Sequence, residues 1–412
     1  FRQIAQRSRL TGLKRRVLLD RAGLGFALDT NRMLHAAPFP PTTRFPGVKE
    51  PIRADEHGYL VRRHLFVGPA WYEREIDVPE SWQGRHAVLR VERALWKTEV
   101  WLDGRRAGEC DSLVAEHRHE LGPLAPGGHR LTVRVDNRMI HNISTVTHAY
   151  GPETQSRWNG LIGHITLDVS NSLSVRSIAA FPAEDRRSVR AAVCLANATR
   201  SPVLTRVRAW LCGDHDDRPL AESVIELTSP AGLCTNELVL RTEEPQQAWD
   251  EFHPVRYRLS ISVEGNGGLR DEANVAFGFR HVARVGRELR VNGRRVFLRG
   301  TLDCAVYPRT GHPPMTVPEW DRVLGVVKEY GFNHVRFHTW CPPEAAFEAA
   351  DRLGVYLQPE TPAWVDDWGI GTVTKPLGIG RDPQVAAFLR AELRRMSEAY
   401  GNHPSFVFCA IG

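Results

Sequence analysis

Short runs of alternating apolar and polar residues, with no helical period, follow one another from about residue 70 to residue 170. The run Trp71 to Val78 ends at Pro79, and the run Glu99 to Leu102 enters Asp103-Gly104, a dipeptide typical of a two-residue β-hairpin turn. Similar runs are Ala87 to Val91, Leu131 to Val135 and Ile165 to Val169. Short strands separated by turn residues predict an antiparallel β-sandwich.

A second set of short strands is predicted between residues 173 and 281. Its runs are Val189 to Leu195, Arg206 to Leu211, Val224 to Leu227, Leu238 to Leu240 and Tyr257 to Val263. A segment of about 100 residues with this number of strands suits an immunoglobulin-like sandwich that lacks the disulfide.

The period changes near residue 296, where strands begin to alternate with helices. We predict strands at Val296–Arg299, His334–His338, Val355–Gln358 and Ser405–Ala410. This alternation predicts a parallel sheet with helical crossovers. Four strands make half of a β/α barrel, which has eight.

Local signals mark the ends of the three helices between these strands. Thr316 and Glu319 predict a capping box at the start of the first helix, and Asp382 is the predicted cap of the last. The helices end at Gly331, Gly354 and Gly401.

The composition is that of a globular protein, with 42% hydrophobic and 25% charged residues among 412, which excludes a disordered, collagen-like or coiled-coil chain. The net charge of +6 is dispersed over 54 basic and 48 acidic residues, so no nucleic-acid partner is expected. No run reaches 18 apolar residues, so no membrane partner is expected. Seven cysteines without a Cys-x-x-Cys spacing predict mostly buried, reduced thiols.

Three segments of the first set of strands, residues 67–76, 100–104 and 158–163, resemble glycoside hydrolase family 2, which holds β-galactosidases, β-glucuronidases and β-mannosidases. Residues 67–76 and 100–104 are similar to the family's sugar-binding jelly roll. Residues 158–163 resemble a turn near the end of that domain.

The likeness continues through the second half of the chain. Residues 277–280 and 291–300 resemble the passage into the family's barrel, and Val335 to His338 resembles its second strand. Residues 402–412 are similar to the segment that leads to the acid/base. In the first barrel strand many members follow Arg-Gly with Asn-Arg-His-Glu, where this chain has Thr301 to Cys304, so the identity of the sugar is left open.

The resemblance implies a multidomain β plus α/β protein. Its parts would be an N-terminal extension (1–39), a jelly-roll sugar-binding-like β-sandwich (40–172), an immunoglobulin-like β-sandwich (173–281) and the N-terminal half of a TIM-barrel catalytic domain (282–412). The implied function is retaining hydrolysis of terminal β-linked sugars, with a β-galactosidase-like activity as the first hypothesis. The alternative is a non-catalytic carbohydrate-binding relative.

Retaining hydrolysis uses two carboxyl groups about 5–5.5 Å apart, one as acid/base and one as nucleophile. The resemblance implies that the acid/base follows directly after Gly412 and that the nucleophile comes after the seventh strand. No catalytic residue is therefore expected within residues 1–412.

Candidate substrate-binding residues lie at the predicted C-terminal rim of the parallel strands, where β/α barrels place their sites. Arg336 and His338 share the inward face of the second strand, where Arg336 would hold a carboxylate and His338 a sugar hydroxyl. Glu360 follows the third strand, and Asp303 ends the first. The alternatives are an internal ion pair for Arg336, a core position for His338 and a capping or surface acid for Glu360.

Aromatic residues in the loops after strands two and three could stack on sugar rings. The candidates are Trp340, Trp364 and Trp368, and for each of them loop packing is the alternative.

No metal and no cofactor are expected. His334 and His338 lie four strand residues apart, about 13 Å, so they cannot share an ion. A metal-dependent barrel hydrolase would carry His-x-His where the chain has Leu302 to Cys304. The expected partner is a carbohydrate, and a homo-oligomer is possible. A cytoplasmic location is favoured, and export stays open because a signal peptide could precede Phe1.

Overall fold

The computed structural model describes four stretches of the chain and two isolated strands near its start. The stretches are residues 67–151, 158–307, 310–364 and 382–412, and the isolated strands are β1 (Arg15–Leu18) and β2 (Gly25–Phe26). These residues form mostly β-sheet with three α-helices, which agrees with the predicted excess of strands. None of the helices in these stretches has the length and apolarity needed to cross a membrane.

The first β region (residues 67–170) contains two antiparallel sheets that pack on one apolar core. Its strands are β3 (Pro69–Val78), β4 (His86–Leu95), β5 (Lys97–Leu102), β6 (Arg105–Cys110), β7 (His117–Pro123), β8 (Gly127–Asp136) and β9 (Gly160–Ser170). The sheet orders are β1-β9-β4-β7 and β2-β3-β8-β5-β6. Every second residue of β3 is buried, from Ala70 to Val78. The alternating positions seen in the sequence therefore mark the side of the strand that faces the core.

The predicted hairpin turn at Asp103-Gly104 joins β5 to β6. Both residues have positive φ angles, 51° and 77°, as a tight hairpin with two left-handed residues requires. The Asp103 carboxylate accepts a hydrogen bond from the Arg130 amide at 2.8 Å, which ties the turn to β8.

The second β region (residues 173–277) likewise has two antiparallel sheets around one core. Its strands are β10 (Leu173–Pro182), β11 (Ser188–Asn197), β12 (Val203–Gly213), β13 (Ala221–Ser229), β14 (Gly232–Arg241), β15 (Tyr257–Gly265) and β16 (Leu269–Phe277). The sheet orders are β10-β11-β14 and β13-β12-β15-β16. A small antiparallel sheet of β17 (Val282–Val285), β18 (Glu288–Val291) and β19 (Arg294–Arg295) follows.

The β/α region (residues 300–412) begins after this small sheet. It contains β20 (Gly300–Asp303), α1 (Val317–Glu329), β21 (His334–Phe337), α2 (Glu344–Leu353), β22 (Tyr356–Gln358) and α3 (Pro383–Tyr400). The three strands form a parallel sheet in the order β20-β21-β22. All seven cysteines are free, but only Cys212 and Cys341 are fully buried, fewer than predicted.

Two of the strands predicted in this region differ from the structure. The strand predicted at Val296–Arg299 lies instead at Gly300–Asp303, because Val296 donates its amide to Leu289 and so completes the preceding hairpin. Residues 405–410 run parallel to β22 but make only the isolated bridges Leu357–Phe406 and Glu360–Ala410. Pro359, which has no N–H to donate, interrupts the ladder between these bridges.

The helix ends follow the predicted signals, with one correction at Thr316. Asp382 caps α3 by accepting hydrogen bonds from Gln384 (2.9 Å) and Val385 (3.2 Å). The Thr316 hydroxyl instead donates to the Glu319 carboxylate at 2.6 Å and makes no side-chain hydrogen bond to the helix backbone, so the capping box is not formed as predicted. Gly354 ends α2 in the left-handed conformation with φ 69°, which glycine adopts without strain.

Candidate functional site

The two sides of β21 have opposite character. Val335 and Phe337 pack against the helices, and the Phe337 ring lies edge-on to Trp320 of α1 at 6.1 Å. Arg336 therefore projects from the other side of the sheet, because side chains alternate along a strand. His338 follows the strand directly, and its amide donates to the Asp303 carbonyl at 2.9 Å, which continues the pairing of β20 with β21.

Arg336 and Glu360 form an ion pair at the C-terminal ends of β21 and β22. The guanidinium Nε donates to Glu360 Oε1, and the Thr339 amide donates to Glu360 Oε2 at 2.7 Å. Glu360 has 0% of its surface exposed, and its own amide donates to the Trp340 carbonyl at 3.1 Å. Both carboxylate oxygens are thus held, as a buried charge requires.

His338 lies beside this pair in a partly buried position. Its ring makes an edge contact with Trp364 at 5.0 Å and a tilted contact with His148 at 5.1 Å. Burial lowers the pKa of His338, and the charge of Glu360 only partly offsets that effect. The imidazole is therefore neutral near pH 7 and can both donate and accept a hydrogen bond.

His148 comes from the connection between β8 and β9 and was not identified from the sequence. Its amide donates to Thr339 Oγ1 at 2.8 Å, and its Nδ1 lies 3.0 Å from the same hydroxyl. A lone histidine in an irregular segment carries no local signal, because 191 residues separate it from Thr339. The first β region thus supplies part of the wall at the end of the parallel sheet.

The Asp303 carboxylate is hydrogen-bonded within the protein and is only partly exposed to solvent. Its carboxylate accepts hydrogen bonds from the Tyr307 hydroxyl at 2.6 Å and the Ala305 amide at 2.8 Å. Burial raises the pKa of Asp303, although both hydrogen bonds oppose that shift. Its role as a substrate ligand remains a prediction.

The three tryptophan candidates have different outcomes. Trp340 is only 4% exposed, packs edge-on against Phe337 at 5.2 Å and donates Nε1 to the Asp303 carbonyl at 3.0 Å. Helix and loop packing bury the Trp340 ring, which agrees with the loop-packing alternative, and its role as a sugar platform stays a prediction. Trp364 is partly buried beside His338 and remains a candidate, whereas Trp368 lies outside the described residues.

A second group of side chains lies at the same end of the sheet. His148, Cys304 and His338 each offer one ligand atom, and these atoms all lie within 4.8 Å of one another. Cys304 follows Asp303 at the end of β20, and it occupies the segment where the sequence departs from the pattern of the resembled family. The strand spacing of His334 and His338 gives no sign of this group, because His148 and Cys304 come from other segments.

Comparisons with known proteins place the chain among relatives of glycosidases. No family model matches the chain. A β-galactosidase of Photobacterium profundum is 31% identical over 176 residues, which are 42% of this chain and 16% of that protein. A putative β-glucuronidase of Formosa agariphila is 23% identical over 355 residues, which are 83% of this chain and 39% of that protein.

A solved structure shares the fold of the described part of the chain. A glycosyl hydrolase family 2 member from Bacteroides cellulosilyticus matches 84% of this chain and 45% of its own with a TM-score of 0.67 at 17% identity, a likeness of fold. These matches confirm the resemblance to glycoside hydrolase family 2, and curated homologues of the chain are named as glycosidases. The chain spans about a sixth to two-fifths of the curated relatives named above.

Proposed function

We propose that this chain is the N-terminal part of a retaining exo-β-glycosidase, which removes terminal β-linked sugars, with a β-galactosidase-like activity as the first hypothesis. In this proposal residues 40–172 form a jelly-roll sugar-binding-like domain and residues 173–281 an immunoglobulin-like domain. Residues 282–412 form the first half of a TIM barrel, and residues 1–39 an extension. The homologues named β-galactosidase and β-glucuronidase support the reaction class.

The observation that carries the proposal is the Arg336–Glu360 pair at the C-terminal ends of the parallel strands. A β/α barrel builds its active site at this end, and charged groups that are fixed before the substrate arrives cost little reorganisation. Glu360, with both oxygens occupied, acts as the anchor that fixes the Arg336 guanidinium. The guanidinium of Arg336 then presents its remaining N–H groups and its positive charge at the proposed sugar-binding site.

The neighbouring side chains suit a sugar. The neutral imidazole of His338 can hydrogen-bond to a hydroxyl in either direction. The indole of Trp364 lies next to it, and aromatic rings pack against the apolar C–H faces of pyranoses. The partner is accordingly proposed to be a carbohydrate. Arg336, His338 and Trp364 are proposed to contact the sugar, and Asp303 is proposed to lie farther from it.

The two carboxyl groups that cleave the bond are not assigned to any residue of this chain. The acid/base is proposed to follow Gly412 directly, where an Asn-Glu pair supports the enzyme and another pair supports the non-catalytic carbohydrate-binding relative. Without both carboxyls, a glycosidic bond has neither a proton donor nor an attacking group.

The test compares residues 1–412 with a longer protein that carries the segment after Gly412. Nitrophenyl β-glycosides of galactose, glucuronic acid, mannose and glucosamine are the substrates, and nitrophenol release is the readout. We expect release only by the longer protein. In that protein, Arg336→Gln should slow turnover by about 10²-fold through misplacement of the sugar. The exposed Glu243→Gln should leave turnover unchanged.

Equal turnover by residues 1–412 would show that the active site is elsewhere. Binding of galactose or glucuronic acid by the longer protein without any nitrophenol release would favour the non-catalytic alternative.

A further inference from the structure

Three metal-donor side chains from separate segments meet beside the Arg336–Glu360 pair. His148 belongs to the connection between β8 and β9, Cys304 follows β20, and His338 follows β21. Their ligand atoms all lie within 4.8 Å of one another. Local sequence does not bring them together, so the cluster is a product of how the first β region packs on the parallel sheet.

The donor set suits one class of ion. Imidazole nitrogen and thiolate sulfur together select Zn²⁺ over Mg²⁺ or Ca²⁺, which prefer oxygen. Around tetrahedral Zn²⁺, with bonds of about 2.0–2.3 Å, neighbouring donors lie about 3.3–3.6 Å apart. A bound Zn²⁺ ion would draw the three ligand atoms, which lie within 4.8 Å of one another, closer together to this spacing.

The surroundings hold the donors in place. Thr339 Oγ1 lies 3.0 Å from Nδ1 of His148, and metal-bound histidines commonly make such a hydrogen bond through their other ring nitrogen. The His338 amide is fixed by the Asp303 carbonyl at 2.9 Å. Ala305 and Thr339, the residues directly after Cys304 and His338, both have φ of 55°, a left-handed conformation that is costly for non-glycine residues.

The protonation states also bear on metal binding. Burial lowers the pKa of His338, so its imidazole is already neutral and able to coordinate. Burial, together with the charge of Asp303, raises the pKa of Cys304 to about 11, so the thiol must release a proton when a metal binds. Because a thiol binds a metal as thiolate, binding releases a proton whatever the surroundings of Cys304, so affinity for a metal should rise with pH.

We propose that His148, Cys304 and His338 bind one Zn²⁺ ion, with its fourth position open to water or to a sugar hydroxyl. Three protein ligands and an open position distinguish such a site from a closed structural zinc site. The idea that a sugar hydroxyl takes the fourth position rests on the proposed function, whereas binding of the ion does not. The site would place a Lewis acid next to Arg336, at the rim where the carbohydrate is proposed to bind.

Cobalt(II) is the probe, because a cobalt–thiolate bond gives a charge-transfer absorption that imidazole and carboxylate ligands do not give. Metal-free full chain should bind one equivalent of Co²⁺ with this band, and added Zn²⁺ should displace it. Cys304→Ser should abolish the band, while Cys409→Ser, at an exposed cysteine, should retain it. His148→Gln and His338→Gln should each weaken Zn²⁺ binding more than tenfold, and the exposed His215→Gln should not.

Two results would overturn the proposal: no thiolate band in the unmodified chain, or a band that persists in Cys304→Ser. Circular dichroism of each metal-free variant separates loss of ligands from loss of fold. If Cys304→Ser does not fold, the two glutamine variants and the Cys409→Ser control still decide the outcome. A chain that binds Zn²⁺ but hydrolyses no glycoside would support the metal site and count against the proposed function alone.

Discussion

The Arg336 guanidinium and the Glu360 carboxylate are paired although their solvent exposures are very different. The Arg336 side chain is 41% exposed, whereas that of Glu360 is 0% exposed. Removal of the arginine would leave a buried charge that keeps the hydrogen bond from the Thr339 amide. Removal of the glutamate would leave a cation that water can still reach. Loss of Arg336 is therefore expected to destabilise the protein more than loss of Glu360.

Arg336→Met should lower the free energy of unfolding by about 1–3 kcal/mol, since it strands a buried acceptor. Glu360→Gln should lower the free energy of unfolding by less than Arg336→Met does. The double variant should lower it by less than the sum of the two single changes, because the second change removes a partner that has already lost its pair. Urea unfolding followed by circular dichroism measures all three. Additive losses would contradict the coupling of these side chains.

The buried Arg93 of β4 should be a strong determinant of stability. Its guanidinium donates to the Pro342 carbonyl at 2.7 Å, the Cys341 carbonyl at 3.3 Å and the Tyr400 hydroxyl at 3.0 Å. Arg93→Met would remove three hydrogen bonds from buried acceptors, so we expect the free energy of unfolding to fall by about 2–4 kcal/mol in urea unfolding.

The control for Arg93 is Arg130→Met. Arg130 lies in β8 of the same β region, but its side chain is 61% exposed and 3.7 Å from Glu73. A change within about 0.5 kcal/mol is expected there. A similarly small effect at Arg93 would mean that its hydrogen bonds contribute little.

His403 should make stability dependent on pH. Burial alone would lower the pKa of His403, but the carboxylates of Asp351, 2.6 Å from Nδ1, and Glu344, 3.0 Å from Nε2, outweigh burial and hold that pKa well above its usual range. A group whose pKa is raised on folding stabilises fully below its unfolded pKa of about 6.5. This stability is lost as the pH rises through the folded pKa.

His403→Gln should therefore reduce the difference in unfolding midpoint between pH 6 and pH 9, and it should destabilise the protein more at pH 6. The matched control is His215→Gln, because the side chain of His215 is 92% exposed. Thermal unfolding at both pH values gives the comparison. An identical pH dependence in the His403 variant and the unmodified protein would contradict the assignment.

The two helix caps predict different effects of the same type of change. Asp382→Ala removes acceptors for two backbone amides of α3 and should cost about 0.5–2 kcal/mol. Thr316→Ala should cost less than about 0.5 kcal/mol, because the hydroxyl bonds to the Glu319 side chain at the surface. Hydrogen exchange of the first turn of each helix separates the two effects, and equal deprotection would contradict the difference.

Local signals predicted the helices of the β/α region well. Gly331 and Gly354 lie where α1 and α2 end. Both have positive φ angles, which glycine adopts without strain, so the local sequence alone indicates the helix end. The alternation of Val335 and Phe337 with Arg336 also indicated correctly which side of β21 meets the helices. In these cases the decisive contacts lie within one element or its nearest neighbour.

Other features depend on contacts outside the element concerned, so the local pattern could not predict them. Val296 is apolar like a strand residue, but its amide is taken by Leu289 in the preceding hairpin. The burial of Trp340 follows from how the helices pack around Phe337, and the position of His148 follows from a contact across 191 residues. The metal-donor cluster was missed for the same reason, since its three members come from two regions of the chain.

The hydrogen bonds from Arg93 and His148 cross from the first β region to residues 339–342, the loop after β21. That loop also supplies the amide that holds Glu360. Transplanting a different β domain onto this β/α region would therefore change the shape of the rim at which the carbohydrate is proposed to bind, even if every residue of the recipient were kept. Chimeras between relatives should retain activity only when the grafted domain brings its own equivalents of Arg93 and His148, so the two regions are expected to diverge together rather than as exchangeable modules.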